Sequence, residues 1–110
     1  MGNASIIGEF EQMVLLAVLR IGDQAHAAII RTEIEGATGR EVSRGAVYTT
    51  LDRLENKGLL SSWMGESRPV RSGRARRYYT VEPEGREALS EARAALDRLW
   101  AGLDPVLGDL

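Results

Sequence analysis

The chain has 110 residues, 44% hydrophobic and 27% charged, the composition of one ordinary globular domain and not of a disordered tail, a collagen-like repeat or a membrane bundle. It contains no cysteine, which removes disulfides, thiolate metal sites and cysteine catalysis and agrees with a cytoplasmic location. The net charge of −2 becomes informative only when it is divided along the chain, as below.

The first predicted helix runs from Glu9 to Ile21, where Phe10, Val14, Ala17, Val18 and Ile21 recur at helical spacing. Met13, Leu15 and Leu16 widen its stripe until most of the circumference is apolar, so this helix is expected to be buried. The longest apolar run, Met13 to Leu19, falls far short of the roughly 20 residues that span a bilayer, so no membrane partner is expected. No charged region precedes that run and no small-residue cleavage site is present, so no signal peptide is read. Ile6 stands where a myristoylation signal at Gly2 needs Ser or Thr.

A second helix is predicted from about Ala25 to Ala37, with Ala27, Ile30, Ile34 and Ala37 on one face and Gly36 and Gly39 at its exit. Ser43 is the expected N-cap of a third helix, which runs to about Lys57 before Gly58 stops it. At about 100° per residue, Val47, Leu51 and Leu54 share one face. Gly45, Thr49, Asp52 and Asn56 lie opposite, with Tyr48 and Arg53 on the flanks. One side packs and the other is free.

After Gly58, the runs Leu59 to Met64 and Arg76 to Val81 read as a β-hairpin whose connecting loop contains Gly, Pro and Arg. Pro83 suits the first turn of a last helix, and Glu84 and Glu87 suit the positive end of its dipole. Leu89, Ala92, Leu96, Leu99 and Leu103 step by three and four, with Trp100 beside them, until Pro105 halts the pattern. Such a face calls for a partner, and a domain this small gains from a second copy. These six residues are the expected dimer interface.

Charge is unevenly spread. Residues 1–39 carry net −3, residues 40–80 net +5, and residues 81–110 net −4. Five cations, Arg68, Arg71, Arg74, Arg76 and Arg77, fall within ten residues that include no acid. A basic middle between acidic ends suits a surface that meets a polyanion.

Three helices, the third open on one side, followed by a two-stranded hairpin, is the element order of the winged helix-turn-helix, a mainly α fold with a small β-hairpin. In that arrangement the third helix enters the major groove and the wing reaches the backbone or minor groove. A single domain over 1–110 is expected, with the winged-helix core over 8–82 and the C-terminal dimerisation helix over 83–104. Double-stranded DNA is the expected partner. The candidate contacts are Ser43, Arg44, Gly45, Tyr48, Thr49 and Arg53 on the third helix and Arg71, Arg74, Arg76 and Arg77 in the wing. Strand alternation prevents Arg74, Arg76 and Arg77 from all facing phosphate together, and at least two should.

Ala46 to Leu60 (AVYTTLDRLENKGLL) and Gly73 to Gly85 (GRARRYYTVEPEG) resemble the signature segments of PadR-type transcriptional regulators, and the resemblance extends over nearly the whole chain. It implies a homodimer joined through C-terminal helices, acting as a repressor on inverted-repeat operators, with small phenolic or drug-like effectors in some members. The sequence departs from the family in three places. Tyr48 is followed by Thr49 where proline is common, His26 and Ala27 replace a Tyr-Gly pair, and Glu82 replaces the hydroxyl cap before Pro83, leaving a weaker carboxylate cap. Aligned from Gly85, Leu96 occupies the position of the ligand-stacking tryptophan of multidrug-binding relatives, with Trp100 one turn further. No effector site is carried over.

His26 reads as a helix-start residue, since no cysteine and no second histidine could complete a transition-metal site. With one imidazole and no Gly-x-Ser-x-Gly motif, no enzyme, no metal and no cofactor are expected. Trp63 reads as wing or core packing, or as a platform for an effector. The rival to DNA binding is a winged-helix interaction module whose arginines meet an acidic protein partner.

Overall fold

A computed structural model describes residues 6–65 and 76–103. Within them the chain forms α1 (Glu9–Ile21), α2 (Ala27–Thr38), α3 (Arg44–Asn56), β1 (Leu60–Met64), β2 (Arg77–Val81) and α4 (Pro83–Trp100). This is the winged helix-turn-helix order read from the sequence.

The bounds of α1 are those of its apolar period. The Glu11 carboxylate accepts the Gly8 amide at 2.9 Å, which supplies half of a capping box. Val14, Leu15, Ala17 and Val18 are buried. The helix is buried as expected except at Leu16, which is 48% exposed, on a side left open by its main packing partners α2, α3, β2 and α4.

α2 begins two residues later than its periodicity suggests. The Ala25 carbonyl accepts the Tyr79 amide at 2.9 Å, so residue 25 is held against β2 and not within the helix. His26 is then the extended N-cap, and its carbonyl receives Ile30 N–H. The helix ends at Gly39, whose left-handed φ of 74° suits glycine. In the following turn, α2 grips both polar groups of the Val42 backbone. Arg31 Nε donates to the carbonyl at 2.6 Å and Glu35 accepts the amide at 2.9 Å.

Ser43 caps α3 as expected, its hydroxyl accepting Ala46 N–H at 3.0 Å. At the other end Gly58 N–H donates to Glu55 and Leu59 N–H to Leu54, with Gly58 at φ 79°. This Schellman closure turns the chain directly into β1. β1 and β2 pair antiparallel from Leu60↔Val81 to Met64↔Arg77.

Leu15, Ile30, Leu51, Leu54, Leu59 and Leu60 form the centre of the core, and burying each of them contributes about 1.5–3 kcal/mol. Thr50 is buried beside Val47, Leu51 and Leu54, widening the packed face of α3 beyond the three residues read from the sequence.

α4 has no side-chain cap. The Glu82 carboxylate expected there is taken by the Ser61 hydroxyl instead. Gly85 is buried tightly against Leu59, the residue before β1, and Val81 at the end of β2, and Ala88 follows it into the core. The helix ends at Trp100, before Pro105, where Gly102 takes a φ of 82° and Leu103 N–H closes onto the Trp100 carbonyl.

Candidate nucleic-acid interface

The apolar side of α3 faces the core, so its other side is presented to solvent. Arg44, Gly45, Tyr48, Thr49, Asp52, Arg53 and Asn56 are all exposed. Ser43 stands at the helix start, its hydroxyl oxygen already engaged by the Ala46 amide. A shallow groove between α2 and α3 is lined by Ala28, Arg31, Thr32, Arg44 and Tyr48 among others. Arg53 lies on the α1 side, close enough to Glu11 for its charge to act on that carboxylate.

The root of the wing stands beside α3. Arg77 Nη1 donates to Ser62 Oγ at 2.8 Å, and Ser62 Oγ donates to Glu55 at 2.7 Å, a chain from β2 through β1 to the recognition-type helix. The buried Tyr79 phenol beneath it is pushed up, first by burial, with Asp52, Glu55 and Tyr48 adding and Arg77 opposing. One side chain therefore feels α3 and the wing together. Arg76 is exposed, just before β2, where its carbonyl accepts Gly65 N–H. Arg71 and Arg74, together with Arg68, lie outside the described residues.

Two cations of the basic segment have other partners. Arg40 pairs with Glu9 at 3.1 Å and Lys57 with Glu11 at 2.9 Å. Burial pushes the Glu11 carboxyl up, but Lys57, the Gly8 amide and Arg53 together outweigh it and hold it below the usual carboxylate range. Arg44 and Arg53 stand on the exposed side of α3, Arg31 lines the groove next to it, and Arg77 is tied to the helix through Ser62.

The opposite face of the hairpin is aromatic. Trp63 lies 5.8 Å from Tyr78 between ring centroids, and His26 meets Tyr78 edge-on at 6.1 Å. Trp63 thus packs on the wing, and His26 is a helix-start residue as read. Sequence reasoning missed Glu55, Ser62 and Tyr79, because no local signal joins a helix end to a strand far along the chain.

On α4, Leu89 and Ala92 are half-buried against this chain's own core. Leu96, Leu99, Trp100 and Leu103 are exposed, Leu99 at 73%.

A capped three-helix core, an antiparallel wing and an open third helix define a winged helix-turn-helix protein of the DNA-binding class. Residues 15–91 match the Transcriptional regulator PadR-like family, and the chain belongs to that family. It is 47% identical over 77 residues to the transcriptional regulator Rv3488 of Mycobacterium tuberculosis, which covers 70% of this chain and 67% of that protein. The solved structure of a PadR-like transcription factor from Bacteroides fragilis is similar at 28% identity and a TM-score of 0.71, covering 88% of each chain. A transcriptional regulator from Clostridium thermocellum shares the fold at 20% identity and a TM-score of 0.70, over 88% of this chain and 91% of that one. The chain is accordingly a transcriptional regulator. No described helix is long and apolar enough to cross a membrane.

Proposed function

We propose that the protein is a cytoplasmic, sequence-specific repressor that binds a near-palindromic operator as a homodimer. The observation that carries this reading is the open polar face of α3, joined to Arg77 of the wing by the Glu55–Ser62–Arg77 hydrogen bonds. Ser43, Arg44, Gly45, Tyr48 and Thr49 meet the major groove first, since they form the N-terminal turns of the helix. Arg53 lies further back, and Arg71 of the loop and at least two of Arg74, Arg76 and Arg77 meet phosphates. Two copies joined through Leu96, Leu99, Trp100 and Leu103, with Leu89 and Ala92 at the margin, set two such helices in successive major grooves. Occupancy of the site then blocks polymerase.

Fluorescence anisotropy against the gene's own upstream fragment and a random duplex tests the reading. Tighter binding to the upstream fragment is expected, with affinity falling steeply as salt rises. Alanine at Arg76 is expected to lower the salt slope by about one contact, and the Arg74, Arg76 and Arg77 triple variant to flatten it further. Equal affinity for both duplexes, or none for either, would overturn the proposal.

A further inference from the structure

α3 carries two acids, and the structure treats them differently. The Glu55 carboxylate accepts Ser62 Oγ, with Arg77 bonded to the same oxygen from the other side. Asp52 is exposed and has no hydrogen-bond or ion-pair partner among the described residues. It shares its stripe with Gly45, Thr49 and Asn56, all within an arc of about 60° on the helix. A Cβ added at Gly45 would meet nothing within 4 Å, so the first turn of this stripe is bare and permits a close approach.

A carboxylate in the middle of a surface that meets a polyanion works against binding wherever it faces phosphate. It is favourable only where it meets a hydrogen-bond donor, because an ionised carboxylate is purely an acceptor. In the major groove the donors are the cytosine N4 and adenine N6 amines, and adenine places an acceptor, N7, beside its amine. Guanine and thymine present acceptor oxygens that repel a carboxylate. Cytosine therefore fits best.

We infer that Asp52 is a specificity-determining residue that accepts a hydrogen bond from a cytosine amine in each half-site. This inference rests on the proposed use of α3 in the major groove. It has an unusual signature: removing the charge weakens selectivity while strengthening binding to arbitrary duplex. Asn at the same position would add a donor to its acceptor and match adenine N6 and N7 together.

The test is selection from a pool of randomised duplexes, followed by anisotropy titration of the selected duplex and its single-base variants. Wild type is expected to prefer cytosine at one symmetric position by about tenfold. Asp52→Ala should reduce that preference to about twofold or less, and should bind random duplex more tightly. Asp52→Asn should move the preference at that position to adenine. Thermal melts of both variants, at an exposed position, establish that each is folded. If wild type selects a sequence but the two variants keep its base profile unchanged, the inference about Asp52 is overturned while DNA recognition by α3 stands. If wild type selects no sequence at all, the underlying reading fails and this one fails with it.

Discussion

Gly85 tests how α4 is seated, because two opposing effects of one methyl group can be compared there. In a helix, alanine is favoured over glycine by about 1 kcal/mol, partly because glycine leaves the unfolded chain more freedom. Yet a Cβ at residue 85 would lie 2.4 Å from the Leu59 carbonyl oxygen and 2.8 Å from Val81 Cγ1. Ordinary contact begins near 3.4 Å, so α4 must retreat by about 1 Å from the backbone it rests on. That carbonyl is not free to give way, since it accepts Glu82 N–H at 3.0 Å. Overpacking costs about 1–3 kcal/mol, at the upper end when backbone must move, and here it exceeds the helical gain. Gly85→Ala is expected to lose about 2 kcal/mol net, a fall of roughly 10 °C in Tm for a domain of this size. Thermal and urea unfolding followed by circular dichroism at one protein concentration would measure it, with Gly36→Ala as the matched control. Gly36 is exposed in α2 with nothing within 4 Å of an added Cβ, so its substitution should stabilise by about 0.5–1 kcal/mol. A Gly85→Ala variant that melts at or above wild type would refute the close-approach argument.

Glu11→Gln should cost about 1–2 kcal/mol at neutral pH by breaking the partly buried pair with Lys57. Since the folded carboxyl is held below its unfolded value, this contribution is complete above about pH 4.3 and is lost as pH falls through the folded pKa. The variant's unfolding curve should therefore depend less on pH on the acid side, and an unchanged acid limb would count against the pairing. Gly45→Ala should raise stability by up to about 1 kcal/mol while weakening DNA binding several-fold, a split that anisotropy and melting together would detect. Equal or tighter binding would remove Gly45 from the interface. Leu96→Asp and Leu99→Asp should convert a dimer to a folded monomer in light scattering across dilution, because both side chains are exposed in the single chain. A wild-type protein that is monomeric at micromolar concentration would contradict the proposed assembly.

The elements legible in the sequence are those whose ends are determined within a few residues of themselves. Glu9–Ile21 was bounded by its own period and by Gly22, and α3 by the Ser43 hydroxyl at one end and the Gly58 turn at the other. The exposed stripe of Gly45, Thr49, Asp52 and Asn56 follows from helical geometry alone once the apolar stripe is known. Expectations failed where a polar group had a competing partner elsewhere in the chain. Ala25 is withheld from α2 because its carbonyl serves the Tyr79 amide. Glu82 does not cap α4 because Ser61 takes its carboxylate.

Short-range chemistry thus decided where the helices begin and stop, which side of each is apolar, and that a cationic hairpin follows the third one. Only the assembled structure decided how those cations are used. Arg40 and Lys57 turn to the acids of α1, while Arg77 bonds to Ser62 and through it to Glu55. It also split the apolar stripe of α4 into a half that joins the core and a half left open. The physical reason is the same in each case. A charge or a carbonyl binds whichever complementary group the packed core brings within about 3 Å, and sequence spacing carries no record of neighbours made by folding.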